Sequence, residues 1–266
     1  MNEVANAEPA DVEIRPGVRR PDWSVVTLPA AGEALRARSS SRSGLIDCWL
    51  VALNPAEDLV WRRALVLFAD LGRAPRTAEI AADARLGEES VGHILKTLQH
   101  HDLVGLFEGD GRIVTAYPFT DRTTGHIVNL GARRLNALCA IDALGAGAMH
   151  QRDAVVESRC RVCAGPIRIA TADLGRAVST ISPPETVVWY DTSYDGSAAS
   201  SCCTRIAFFC SDGHLNGWLR ASGGRSGRRL SVEEALQVGR ALFAPVLAEA
   251  TAPREEKSER RRIAQV

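Results

Sequence analysis

The chain lacks net charge. Over its 266 residues, 32 Lys and Arg balance 32 Asp and Glu, and the isoelectric point is near 7.0. No global basic field therefore draws it to nucleic acid or to an anionic membrane. An export signal is missing too: the opening residues, MNEVANAEPADVEIRPG, are polar and acidic and hold no apolar core of the secretory type. Nor is there a run long enough to span a bilayer. The most apolar early stretch, GLIDCWLVALNPAEDLVW, is broken by Asp47 and by Asn54-Pro55. No internal repeat is visible. These absences predict a cytoplasmic protein with no membrane partner. A composition of 45% hydrophobic and 24% charged residues allows one large or two modest cores.

What the chain does have is thiols. Seven cysteines is an odd number, and without an export signal a disulfide framework is not expected. Clustered cysteines in such a chain serve metal or redox chemistry, whereas an isolated one such as Cys48 is a small hydrophobe. Cys160 and Cys163 form one C-x-x-C. A zinc ribbon needs a second such knuckle, and the downstream supply, Cys202, Cys203 and Cys210, has a different spacing. Structural zinc therefore ranks below the alternatives. A redox C-x-x-C ranks lower still, because the strand-to-helix context is missing. His214, in CSDGHLNGW, has the chemistry to ligate metal but reads as a loop or helix-start histidine.

Composition divides the chain into four. Residues 1–42 mix Pro, Ala, Arg and Ser and read as a mobile extension, and residues 251–266, with Arg260, Arg261 and Arg262, as a charged tail. Within residues 43–120, AEDLVWRRALVLFADLG carries a helical apolar period with a glycine stop. RTAEIAADARLG predicts a second helix with Thr77 as N-cap. EESVGHILKTLQHHDLV predicts a third, with Val91, Ile94, Leu95 and Leu98 on one face. A hairpin around Gly109-Asp110-Gly111 follows. Three helices and a hairpin form a winged-helix-like pattern. The third helix, however, opens with Glu88 and Glu89 and offers Lys96 as its only permanent cation, with His93, His100 and His101 as weak phosphate partners. A packing role outranks DNA binding, so no nucleic acid is expected. Tyr117-Pro118-Phe119 marks the crossover. Residues 121–250 read as an α+β domain. It comprises a helix in GARRLNALCAIDALGAGAM, two short strands in DAVVESRCRVCAGPIRIAT, strands in PPETVVWYDT and TRIAFFCS, and a terminal helix capped by Ser231 and Glu234. Trp189, Tyr190, Phe208 and Phe209 read as core or pocket wall.

Two segments of that domain carry chemistry. Three positions apart on a helix, Cys139 and Asp142 project from one face. A partly buried carboxyl near anionic sulfur keeps its proton through desolvation and like charge, and becomes a proton donor near neutral pH. In Cys202-Cys203, a strand would send the two thiols to opposite faces, so that one alone reaches a common site unless a loop or bulge lies there. Thiolates at such a site select soft metal ions.

Taken in order, YPFTDRTTGHIVNLGARRLNALCAIDALG, CRVCAGPIRI and SCCTRIAFF resemble the bacterial organomercurial lyases, also called alkylmercury lyases, over roughly residues 43–250. The resemblance implies an N-terminal winged-helix-like domain followed by a catalytic α+β domain. It implies cleavage of a carbon–mercury bond by protonolysis, giving a hydrocarbon and Hg(II). The catalytic set it implies is Cys139, Asp142 and Cys202, with mercury held by Cys139 and Cys202, an assisting place for Cys203 and a structural one for Cys160. Cys139 would capture the metal, Cys202 would add a second sulfur, and Asp142 would protonate the carbon. No cofactor is implied, since the metal arrives in the substrate. Release of Hg(II) would fall to small thiols or to a mercuric reductase. Cys163 and Cys210 depart from the family's set.

Two other classes compete. A soft-metal-binding or delivery protein would use the same thiols without bond cleavage, but has no need of Asp142. A winged-helix metal-responsive regulator would bind DNA in a steeply salt-dependent way.

Overall fold

The computed structural model describes residues 11–39 and 48–249. The first ten residues, residues 40–47 and residues 250–266, which include the charged tail at 251–266, lie outside them. The fold is of the mixed α+β class. Strands β1 (Val12–Arg15) and β2 (Val18–Arg20) form a hairpin, and helix α1 (Pro29–Ser39) follows. Helices α2 (Pro55–Leu71), α3 (Thr77–Ala84) and α4 (Glu88–His100) precede β3 (Val104–Leu106) and β4 (Ile113–Ala116). Then come β5 (Phe119–Thr120), β6 (Ile127–Leu130), β7 (Arg133–Ala137), α5 (Ala140–Met149), β8 (Ala154–Arg159), β9 (Pro166–Ala172), β10 (Ala177–Ser182) and β11 (Val187–Asp191). A short 3-10 turn at Cys202–Thr204, β12 (Ala207–Phe209), α6 (Asp212–Ser222), β13 (Gly227–Ser231) and α7 (Val232–Leu247) complete the chain.

Helix boundaries follow local chemistry. Asn54 caps α2 through the Ala56 and Glu57 amides, Pro55 occupies the first turn, and Gly72 ends the helix at φ 72°. Ser231 and Glu234 close the expected capping box on α7. Helix α3 starts one residue earlier than expected. Arg76 takes the cap position and Thr77 is already helical, because the Glu79 carboxylate accepts from the Arg76 amide at 2.7 Å. On α4, Val91, Leu95 and Leu98 are buried, while Ile94 is half-buried at the edge of the apolar stripe.

Eight antiparallel strands make the main sheet, in the order β10-β9-β8-β6-β7-β5-β4-β3. It runs unbroken across residue 120, through β4–β5 and β5–β7 pairing. A row of buried residues, Leu135, Val128, Val156 and Ile169, crosses four neighbouring strands in register. Helix α5 packs on β6, β7 and β8 and against α7. A second sheet, β12-β11-β13, holds β11 in its centre with every residue buried, and α6 and α7 both pack on β11.

Residues 11–39 are not the mobile extension that their composition suggests. Ile14, Val18, Ala31, Ala34 and Leu35 are buried, and arginines fasten the segment to α7. Arg15 pairs with Asp58 at 2.9 Å and donates to the carbonyls of Pro245 and Ala248, the open end of α7. Arg20 is buried over the Trp49 and Trp61 rings and donates to the Leu242 carbonyl at 2.8 Å. Arginine stems and a few small apolar residues do the packing here, and neither registers as a hydrophobic run. No helix among the described residues is long and apolar enough to cross a membrane.

Helices α5 and α7 cross at glycine. A methyl group built on Gly239 would stand 2.8 Å from the Gly145 nitrogen and 3.0 Å from the Ile141 carbonyl oxygen, backbone atoms with nowhere to go. Gly239→Ala gains about 1 kcal/mol of helix propensity and is expected to lose more to this overlap, a net destabilisation of about 1–3 kcal/mol. Gly92→Ala on α4, with open space around it, is expected to stabilise by about 0.5–1 kcal/mol. Thermal unfolding of both variants checks the contrast, and a similar rise in both would refute the account.

Candidate active site

Strand β7 delivers the chain to Cys139, which does not lie inside a helix as the Ala- and Leu-rich run suggests. Its backbone is extended, at φ −147° and ψ 179°, and it is the N-cap of α5, its sulfur accepting from the Asp142 amide at 3.5 Å. Cys139 and Asp142 still meet, but as cap and third helical residue. The second segment is bonded to the first through its backbone, since the Ala140 amide donates to the Ile206 carbonyl at 3.5 Å.

Residues 202–204 form a 3-10 turn and not a strand. The Cys203 amide donates to Ala198 and the Ile206 amide to Cys202, each at 2.9 Å. Opposite-face alternation is thereby lost, and both thiols line one pocket with Cys139 and Asp142. Ligand atoms of Cys139, Asp142 and Cys203 all lie within 4.8 Å of one another. Cys203 donates to the Asp142 carboxyl at 3.7 Å. Cys202 flanks this group, its sulfur accepting from Arg38 at 3.1 Å.

Burial sets the protonation states. Asp142, 2% exposed, is pushed up to about 7, chiefly by desolvation. The Cys139 thiol is pushed up to about 11, again by burial first. Cys203 is held above the ordinary thiol range by its hydrogen bonds to Cys139 and Cys202 and by burial. Cys202 is shifted the other way, by the Cys203 hydrogen bond and, against desolvation, by the charge and hydrogen bond of Arg38. Near neutral pH these shifts favour one thiolate, at Cys202, beside protonated thiols and a carboxyl group that keeps its proton well above the ordinary carboxylate range. Trp49, Tyr190, Leu242 and Phe243 wall the pocket, whose cavity of about 20 Å³ has room for a single water. A larger cleft of about 540 Å³, between the β1–β2 hairpin and α7, contains no thiol.

An alkylmercury lyase of Staphylococcus epidermidis is 30% identical over 186 residues, 70% of this chain and 82% of that protein. The MerB family model, alkylmercury lyase, matches residues 119–244. The chain belongs to the alkylmercury lyase family. A second alkylmercury lyase, from Bacillus cereus, is 28% identical over 188 residues, 70% of this chain and 82% of that protein. The crystal structure of the mercury-bound form of MerB2 superposes with a TM-score of 0.66 at 24% identity, covering 77% of this chain and 98% of that one, and so shares the fold. Relatives named as lyases make this member of the alkylmercury lyase family an enzyme.

Two supporting residues escape the sequence reading. Arg38 lies at the end of α1, within the stretch expected to be mobile. It stacks over the Tyr190 ring at 4.5 Å and donates to the Asp191 carbonyl as well as to Cys202. An arginine in LRARS gives no signal of this. Asp102 is buried just after α4, at φ 51°. Its carboxylate accepts from the Tyr117 hydroxyl at 3.1 Å, the Tyr194 hydroxyl at 3.2 Å and the Ala198 amide at 2.8 Å, fixing the loop that leads into Cys202. Trp189 and Phe209 stack about Trp218 behind β11 and β12, away from the pocket, whereas Tyr190 lines it. Cys48 packs against the core beside Tyr194. Cys160, Cys163, Cys210 and His214 do not reach the pocket and form a second cluster.

Arg38→Gln removes the positive charge facing Cys202. The Cys202 thiol is expected to titrate higher by about one to three pH units. Alkylation of Cys202 across pH, followed by peptide mass spectrometry, measures this, and an unmoved profile would rule out the guanidinium as the cause.

Proposed function

We propose that this enzyme cleaves the carbon–mercury bond of organomercurials by protonolysis, in the service of mercury resistance. The observation that carries the proposal is a buried carboxyl, Asp142, packed among sulfurs in a small enclosed pocket and pushed up to about 7 by desolvation. Pure metal capture needs sulfur alone. A carboxyl whose proton survives toward pH 7 adds the general acid that bond cleavage requires.

The steps balance on one proton. The Cys202 thiolate, held ready by Arg38, displaces the leaving ligand of R–Hg–X and forms R–Hg–S. Cys139, still a thiol, then supplies a second sulfur as its proton passes to Asp142, while Asp142 gives its own proton to the carbon bound to mercury. The products are R–H and Hg(II) held by two thiolates. This order reverses the expected one, in which Cys139 acts first, because burial disfavours the Cys139 thiolate. Cys203, a hydrogen-bond donor to Asp142, orients the carboxyl and assists without forming an essential bond to mercury. Mercury is substrate and product, so the reaction asks for no resident cofactor. Small thiols, or a mercuric reductase, take the Hg(II) away in the cytoplasm. The pocket admits no organomercurial at its present size, so binding requires one wall to move. In this reading, the α2–α4 segment with the β3–β4 hairpin is a winged-helix-like packing module. It places Asp102 against the catalytic loop and does not bind DNA.

Benzene release from phenylmercury in excess thiol tests the proposal. Asp142→Asn is expected to lower turnover by about 10²–10⁴-fold while Hg(II) binding persists. Cys139→Ser and Cys202→Ser are expected to abolish release, and Cys203→Ser to keep part of it. Equal turnover in wild type and Asp142→Asn would exclude Asp142 as the acid. No benzene from the wild type would leave the metal-binding reading in its place. Turnover should also fall as pH rises through about 7, as Asp142 loses its proton, and fall on the acid side as Cys202 gains one.

A further inference from the structure

Four potential ligands outside the active site converge on one point. Cys160 follows β8 directly, Cys163 lies in the β8–β9 turn, Cys210 follows β12, and His214 sits in the first turn of α6. Their ligand atoms all lie within 4.8 Å of one another. We infer that Cys160, Cys163, Cys210 and His214 form a four-coordinate structural zinc site that pins the β12–α6 junction behind the active-site thiols.

The distances fit the ion. With Zn–S near 2.3 Å and Zn–N near 2.0–2.1 Å, a tetrahedron has S···S edges of about 3.8 Å and S···N edges of about 3.5 Å. The Cys163 and Cys210 sulfurs are 3.8 Å apart, and Cys160 Sγ stands 3.5 Å from His214 Nδ1. Cys210 Sγ lies closer to Nδ1, at 2.9 Å, a hydrogen-bond contact that coordination would lengthen by about 0.6 Å to the same tetrahedral edge.

The backbone is arranged for anionic sulfur. Amides of Val162, Cys163 and Cys210 face the Cys160 sulfur, and the Gly165 amide donates to Cys163 Sγ at 3.4 Å. Tight folding of the turn supports this: the Ala164 amide donates to the Cys160 carbonyl at 2.9 Å, with Ala164 at φ 56°. The Arg161 amide donates to the Phe208 carbonyl at 3.0 Å, so the two ligand-bearing segments are already bonded together. Donor chemistry selects the metal. Three thiolates and one imidazole in a tetrahedron suit zinc, and four protein ligands leave no open position for substrate. Mercury, which favours two sulfurs in line, gains little from this geometry.

The site's purpose follows from its place. Cys203 and Cys210 are joined through β12, so an ion holding Cys210 to the β8–β9 turn fixes the far end of the strand that positions the 3-10 turn. Bound zinc also withholds three thiols from mercury.

Zinc analysis of the purified full-length chain, prepared under reducing conditions, tests the inference. Wild type and Cys139→Ser are expected to carry equimolar zinc through dialysis, while Cys163→Ser and His214→Ala lose it. Cys163 is exposed, so its replacement leaves the core packing untouched. Cobalt loaded into the wild type should show tetrahedral visible bands and sulfur-to-cobalt charge transfer, both absent from Cys163→Ser. Three results would each overturn the inference: wild type that takes up neither zinc nor cobalt in reduced form, zinc undiminished in both variants, or mercury retained at these residues where zinc is not.

Discussion

Removing water from around Asp142 is the constraint on which the rest of the site depends. A carboxylate in water is ionised at pH 7 and has no proton to give. Packed among sulfurs beneath Tyr190 and Phe243, the same group gains too little from its few hydrogen bonds to offset lost solvation, and its acid form survives to about 7. The thiols are sorted by the same dry surroundings. One sulfur accepts a hydrogen bond from Cys203, has a guanidinium beside it and is shifted toward the thiolate, whereas Cys139 and Cys203 are held in the thiol form. A single environment thus separates an ionised sulfur from a proton-bearing carboxyl, with the Cys203 hydrogen bond and then one buried positive charge setting Cys202 apart. The penalty appears in folding. As pH rises from about 4 through about 7 the unfolded chain sheds the Asp142 proton before the folded one, and stability falls across that window.

Keeping water out falls to the scaffold. Helix α5 is buried along its whole length, which its small residues permit. Glycines at the crossing let α7 approach to backbone contact, bringing Leu242 and Phe243 over Cys139. The second sheet supplies the other wall through Tyr190 of β11, joined by Cys202, Cys203 and Ile206 ahead of β12. Neither the sheet nor the helices alone would close the pocket; the enclosure is a product of both.

Periodicity and motif made part of this legible. The amphipathic helices α2 and α4 and the capping box of α7 can be read from residue order, because each is a local pattern, whereas the grouping of Cys139, Asp142 and the cysteine pair came from the resemblance to a family. Strand β7 was hidden, since RRLNA merges into the Ala-rich run ahead of α5, and with it the capping role of Cys139. Arg38 and Asp102 left no trace, because their meaning comes from partners far along the chain, Cys202 for one and Ala198 for the other. The second thiol cluster was obscured differently. Its latter half is C-x-x-x-H, and although His214 has the chemistry of a ligand, its meeting with Cys160 and Cys163 depends on the β12–α6 junction folding over the β8–β9 turn.

The guanidinium beside Cys202 is carried on α1, which packs on α7, and the hairpin just before α1 is fastened to the same helix end by arginines that grip carbonyls at residues 242–248. That arrangement ties the chemistry of one sulfur to contacts far from it. Loosening the grip of Arg15 and Arg20 on residues 242–248 would draw the guanidinium away from Cys202 without replacing any pocket side chain.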